Sequence, residues 1–139
     1  MNFTAKEDYG IRAAVDLAMH RSESPIQAKE IAERQSIPEQ FLEQVLASLR
    51  RSGIVRSIRG PAGGYELADE PERISVGDVL RAISGPLVQP PSADAARCTD
   101  MFWRQLSNAV DSTANAMSLR DLADECTRFR YDQSFMMNI

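Results

Sequence analysis

Gln40 and Gln44 stand four residues apart, with Glu43 beside them, in a stretch whose other positions are largely apolar. Four residues is one helical turn, so these side chains share a face if the segment is helical. A glutamine amide can bond an adenine edge through two hydrogen bonds, and a glutamate can accept from a cytosine amino group. Further on comes Arg59-Gly60-Pro61-Ala62-Gly63-Gly64. A cation at Arg59, next to Gly60 and Pro61 with little side-chain bulk, suits the narrow minor groove of a duplex. Glycine also lets backbone amides approach phosphates closely. Each feature has a plainer reading: polar residues on a helix are commonly solvated surface, and glycines at a tip serve a turn. Lys29, Arg50, Arg51 and Arg56 are candidate phosphate contacts, or ordinary surface charges.

Enzymatic chemistry is poorly served. The chain has a single histidine, His20, no phosphate-binding loop and no nucleophile elbow. Cys98 and Cys126 are too few and too far apart for a disulfide framework or a closed zinc site.

The elements that must position these residues follow from periodicity. Thr4-Ala5-Lys6-Glu7 is a capping box, and Tyr9, Ile11, Ala14, Val15, Ala18 and Met19 give a helical apolar face ending near His20. A short second helix carries Ala28, Ile31 and Ala32. After the tight connection Gln35-Ser36-Ile37, a third helix runs from about Pro38 to Arg51, with Phe41, Leu42, Val45, Leu46 and Leu49 as one buried stripe. Strands at Ile54 to Ile58 and Tyr65 to Leu67 enclose the glycine-rich tip. Ser75 to Ser84 is a fourth helix, Gly85 to Ala96 a loop, and a longer helix starts near Thr99. Phe102, Leu106, Ala109, Val110, Thr113 and Met117 form a narrow seam on it. Ser118-Leu119-Arg120-Asp121 caps a short last helix, and a Phe- and Met-rich tail from Thr127 is expected to cover the long helix. The fold class is therefore mainly α with a small β-hairpin: a winged helix-turn-helix plus a long dimerisation helix. The division is a DNA-binding head at 1–84, a linker and candidate sensing region at 85–98, the long helix and its short follower at 99–125, and the tail at 126–139.

With 139 residues, 43% of them apolar, the chain can bury a core without a metal or disulfide. No stretch reaches the apolar length of a membrane span and the N-terminus lacks a signal-peptide pattern, so a cytoplasmic protein with no membrane partner is expected. The net charge of −4 is unevenly spread. From Gln27 to Gly60 six basic residues face four acidic ones, so a weakly basic head sits on an acidic body.

Taken together, Tyr9-Gly10-Ile11-Arg12-Ala13, Ile31-Ala32-Glu33-Arg34, Phe41-Leu42-Glu43-Gln44, Arg59-Gly60-Pro61-Ala62-Gly63-Gly64-Tyr65, Trp103-Arg104-Gln105-Leu106 and Ser118-Leu119-Arg120-Asp121-Leu122 resemble the Rrf2 family of transcription regulators. The resemblance spans roughly the whole chain up to the tail. It implies a homodimer held by the long helix and a palindromic double-stranded DNA operator. It also implies a recognition helix carrying Gln40, Glu43 and Gln44, and a minor-groove wing carrying Arg59 and Pro61.

Many members of that family hold an iron–sulfur cluster on three loop cysteines and a fourth ligand. This chain departs from the pattern, since its loop offers only Cys98, and thiolates are the usual ligands. A mixed set could draw on Asp8, at the first-helix position from which some relatives offer a carboxylate, together with Cys98. The plainer reading makes Asp8 a helix-dipole partner and Cys98 a small buried residue or a reactive loop thiol. A cluster-free regulator tuned by a partner protein, a small ligand or thiol oxidation is the reading that follows. The alternative to DNA recognition is a winged-helix module that binds another protein, which the near-neutral recognition face would suit.

Overall fold

The Thr4 hydroxyl accepts from the Lys6 amide at 3.3 Å, and the Glu7 carboxylate reaches back to the Thr4 amide at 2.7 Å. This box starts α1 (Ala5–Met19) in the computed structural model, which describes residues 2–91 and 96–137. The remaining elements are α2 (Ala28–Gln35), α3 (Glu39–Arg51), β1 (Val55–Ile58), β2 (Gly64–Leu67), α4 (Val76–Ser84), α5 (Asp100–Ala116) and α6 (Leu119–Met137). Part of the loop expected at 85–96, at 92–95, lies outside the described residues, as do tail positions 138 and 139.

The first helix is the hub. It packs on α2, α3, α4, α6 and β2, and Ala13, Ala14, Val15, Leu17 and Ala18 are buried. A helix surrounded in this way needs apolar residues on more than one stripe. The run Ala13-Ala14-Val15-Asp16-Leu17-Ala18 supplies them, with one charged exception. On α3, Leu42, Val45, Leu46 and Leu49 are fully buried as expected, but Phe41 is 40% exposed. Phe41 sits at the edge of the stripe, where its ring rests 6.0 Å from that of Tyr9 instead of entering the core.

The hairpin is antiparallel, with Val55 opposite Leu67 and Ile58 opposite Gly64. The tip end of β2 is fastened to the segment before α2 by two backbone bonds between Ile26 and Tyr65, at 2.9 and 2.7 Å. A Cβ at Gly64 would lie 2.4 Å from the Ile26 carbonyl oxygen, so only glycine permits that approach.

A second capping box, Ser75 with Asp78, opens α4. This helix crosses α1 where Gly10 leaves room for Ile83, and crosses α5 where Gly77 faces Ala114 and Asn115. Arg81 spans the second crossing, bonding Asp111 at 3.1 Å and Asn115.

The short last helix and separate tail expected from the sequence are instead one 19-residue helix, α6. Ser118 and Asp121 cap it reciprocally at 3.0 Å, and no Gly or Pro interrupts it thereafter. Within the single chain the tail is not packed down over the long helix. Leu119 and Ala123 are buried against the head, α6 packs on α1 and the Pro71–Arg73 turn, and every residue from Thr127 to Met137 is exposed. Among the described residues no helix is long and apolar enough to cross a membrane.

Glu7 also ties α1 to α4. The Thr4 hydroxyl (2.6 Å), the Ser84 hydroxyl (2.7 Å) and the Thr4 amide all donate to its carboxylate. These bonds, the Thr4 hydroxyl foremost, outweigh the burial that opposes them and hold its pKa at about 2, against an ordinary 4.5. The stabilisation is complete above the ordinary value and is lost as pH falls from there toward 2. Glu7→Gln is therefore expected to cost on the order of 1 kcal/mol near neutrality, after allowance for solvent screening. Urea unfolding near neutral pH and near pH 3 checks this: the gap between variant and parent should narrow in acid, and an equal gap at both would contradict it.

Candidate nucleic-acid interface

The polar face of α3 is open. Gln40, Glu43 and Gln44 are exposed, while the opposite side of the helix forms the core. The helix enters through a sharp turn: Ser36 takes the left-handed conformation at φ 53°, Ile37 is buried, and Pro38 caps the helix with an extended backbone.

The angle between α2 and α3 is set from behind. Asp16, fully buried on α1, accepts from Arg34 Nε at 3.0 Å and Nη2 at 2.8 Å, and from Gln35 Nε2 at 3.0 Å. Arg34 and Gln35 are the last two residues of α2, so the turn begins from a fixed point. The Asp16 carboxylate raises the Arg34 pKa above its already high value. Sequence reasoning passed over Asp16. The available signal was an acidic residue in the middle of an otherwise apolar run on α1, which requires a buried partner.

The expected cations fall into different environments. Lys29, Arg50, Arg51 and Arg59 are exposed, and none of the ion pairs among the described residues engages them. Arg51 bonds the Ser48 hydroxyl at 3.1 Å, and with Arg50 it occupies the last turn of α3, where the helix dipole favours a cation. Arg56 pairs with Glu66 across the hairpin at 2.7 Å, so its charge is already answered. At the wing tip Gly60 has φ +110° and its carbonyl accepts from the Gly63 amide at 2.9 Å, which leaves Arg59 and Pro61 exposed.

The residues considered for a cluster do not converge. Asp8 is exposed on α1 and lies 3.3 Å from Arg12. Cys98 is exposed in the turn before α5, Cys126 is half-buried on α6, and the His20 Nδ1 lies 2.9 Å from the Asp16 carbonyl oxygen. Among the described residues no three His, Cys, Asp or Glu side chains are grouped to hold a metal ion. With one thiol in the loop and its companions elsewhere, the donor set within this chain does not fit an iron–sulfur cluster.

Known proteins share this arrangement. The sequence model of the Rrf2 family, described as iron-dependent transcriptional regulator, matches residues 3–125. The chain is 36% identical over 135 residues to the HTH-type transcriptional regulator IscR of Aliivibrio salmonicida, covering 88% of this chain and 77% of that protein. It is 35% identical over 137 residues to IscR of Yersinia pestis, covering 89% and 80%. Among solved structures, CymR, the global cysteine regulator of B. subtilis, superposes with a TM-score of 0.77 at 32% identity, covering 90% of this chain and 98% of that one. T. potens IscR gives 0.72 at 35% identity, covering 91% and 88%. These relatives are regulators of transcription and not enzymes. The chain belongs to the Rrf2 family of helix-turn-helix transcription regulators.

Proposed function

We propose that this regulator reads a palindromic duplex as a homodimer, with α3 in the major groove and the hairpin tip in the minor groove. The observation that carries the reading is the exposed polar face of α3, with Gln40 and Gln44 one turn apart, on a helix whose other face is core. In this reading Gln40, Glu43 and Gln44 meet base edges, and Arg59 with Gly60 and Pro61 enters the minor groove. Lys29, Arg50 and Arg51 meet phosphates. Arg56 contributes less, because Glu66 competes for it.

The homodimer reading rests on α5. None of the 17 residues of this helix is buried. Leu106 and Val110 are half-buried, whereas Met101, Phe102, Ala109, Thr113 and Met117 are exposed. A lone helix of this length, apolar on its outer side, is stabilised by burial against another surface. A second copy offers the same seam, as a two-fold interface requires.

We further propose that signal reception needs no iron–sulfur cluster and depends on a partner protein, a small ligand or the Cys98 thiol. The donor set supports this, because Cys98 is the one thiol of the loop before α5.

Four outcomes are expected. Gln44→Ala should cost about 1–3 kcal/mol at one base position of the preferred duplex and little at others, by fluorescence anisotropy on a set of single-base variants. Arg59→Ala should weaken binding and flatten discrimination toward the half-site edges, and undiminished specific binding would remove the wing from the interface. Ala109→Glu should halve the mass seen by light scattering and abolish tight duplex binding, whereas an unchanged dimer would place the interface elsewhere. Protein purified without oxygen should carry neither iron nor acid-labile sulfide, and matched amounts of both would overturn the cluster-free reading.

A further inference from the structure

Between α1 and α6 lies a cleft of about 340 Å³. Its walls are Ile11, Val15 and Met19 from α1, and Leu122, Cys126 and Phe129 from α6. Leu122 and Cys126 pack against the core, while Phe129, one turn further along α6, is 61% exposed. The size is that of sites for small organic molecules, which combine apolar walls with a few polar groups.

The polar groups of this cleft are unbalanced. Arg12 and Arg130 line it and Asp8 is the single carboxylate among its lining residues, which leaves one positive charge in excess. None of the ion pairs among the described residues engages Arg130. The Arg12 Nε is buried without a hydrogen-bond acceptor, for Asp8 Oδ2 lies 3.3 Å away but off the N–H direction. The Arg12 side chain as a whole is 34% exposed, so an anionic oxygen has access to a guanidinium whose Nε donor lacks an acceptor.

We propose that this cleft is a binding site for a small amphipathic carboxylate, its apolar body between α1 and α6 and its carboxylate on Arg12 and Arg130. The site also touches the reading head. The Arg12 guanidinium stands 5.1 Å from the centre of the Tyr9 ring, and Tyr9 in turn packs on Phe41, the neighbour of Gln40 on α3. A carboxylate that draws Arg12 off Tyr9 alters the support of Phe41. That last step rests on the DNA-reading role of α3; the binding itself does not.

Cys126 is a built-in reporter, because it lines the cleft while Cys98 lies in the exposed turn before α5. Alkylation of the intact protein by N-ethylmaleimide, followed by mass spectrometry of both thiols, would be run with decanoate, 4-phenylbutyrate, uncharged decanol or no addition. Decanoate or phenylbutyrate is expected to slow Cys126 about fivefold at about four times its dissociation constant, as one-site mass action requires, with Cys98 unchanged. Whichever acid protects better identifies the apolar body as aliphatic or aromatic. Decanol should protect much less, and Arg12→Gln should erase the difference between decanoate and decanol. The proposal fails if neither acid slows Cys126 or if decanol protects as well as decanoate. It also fails if protection without any addition rises with protein concentration, which would mean that a second copy fills the cleft. Because the readout contains no DNA, its failure would leave the reading of α3 and the wing intact.

Discussion

The reading head depends on one buried carboxylate. Asp16 has no solvent exposure and would be strongly destabilising without its partners. Arg34 grips both of its oxygens, Gln35 adds a third bond, and His20 donates through Nδ1 to the backbone carbonyl of the same residue. Such an ion pair adds little net stability over an apolar substitute, but it has one good geometry, and a shifted helix would leave an uncompensated charge inside. It therefore works as a locating pin. It fixes the end of α2 against α1, one residue before the left-handed turn at Ser36 that launches α3. The outward display of Gln40, Glu43 and Gln44 follows from that alignment.

The same economy links the head to the long helix. The fourth helix touches α1 through Gly10 and through the bond from Ser84 to Glu7, and touches α5 through Gly77 and the reach of Arg81. The two glycines let the helix backbones come close, and the polar bonds fix how far each helix can turn. The chain also returns to this point: the Val76 amide donates to the Met117 carbonyl, and the Leu119 amide to the Ile74 carbonyl. A displacement of α5 by a partner or signal therefore meets α4 before it meets the rest of the head.

Local rules made much of this legible. The capping boxes at Thr4, Ser75 and Ser118 each depend on residues three apart, and the wing glycines announce a turn. Both kinds of feature are written within a few residues, and so were read correctly. Asp16 and Arg34 are eighteen residues apart, and nothing in either segment alone names the other as partner. The tail was misread for a different reason. Its aromatic and sulfur side chains suggested a covering segment, but a helix needs no buried stripe to continue when its cap is sound and no breaker follows. Phe41 shows the limit of counting periodicity, since a residue at the edge of a stripe can leave the core for a neighbouring ring. The DNA contacts were inferred from chemistry at exposed positions, where packing imposes no identity on the side chain.

Where the protein touches a duplex distinguishes paired heads from a single one most directly. Hydroxyl-radical footprinting, with methylation interference at guanine N7 in the major groove and at adenine N3 in the minor groove, on a duplex the protein selects from a random pool would decide it. Two symmetric patches are expected, each with major-groove interference at its centre, where α3 lies, and minor-groove interference beside it, where Arg59 enters. A single asymmetric patch, or interference confined to one groove, would contradict the paired heads and the division of labour between α3 and the wing.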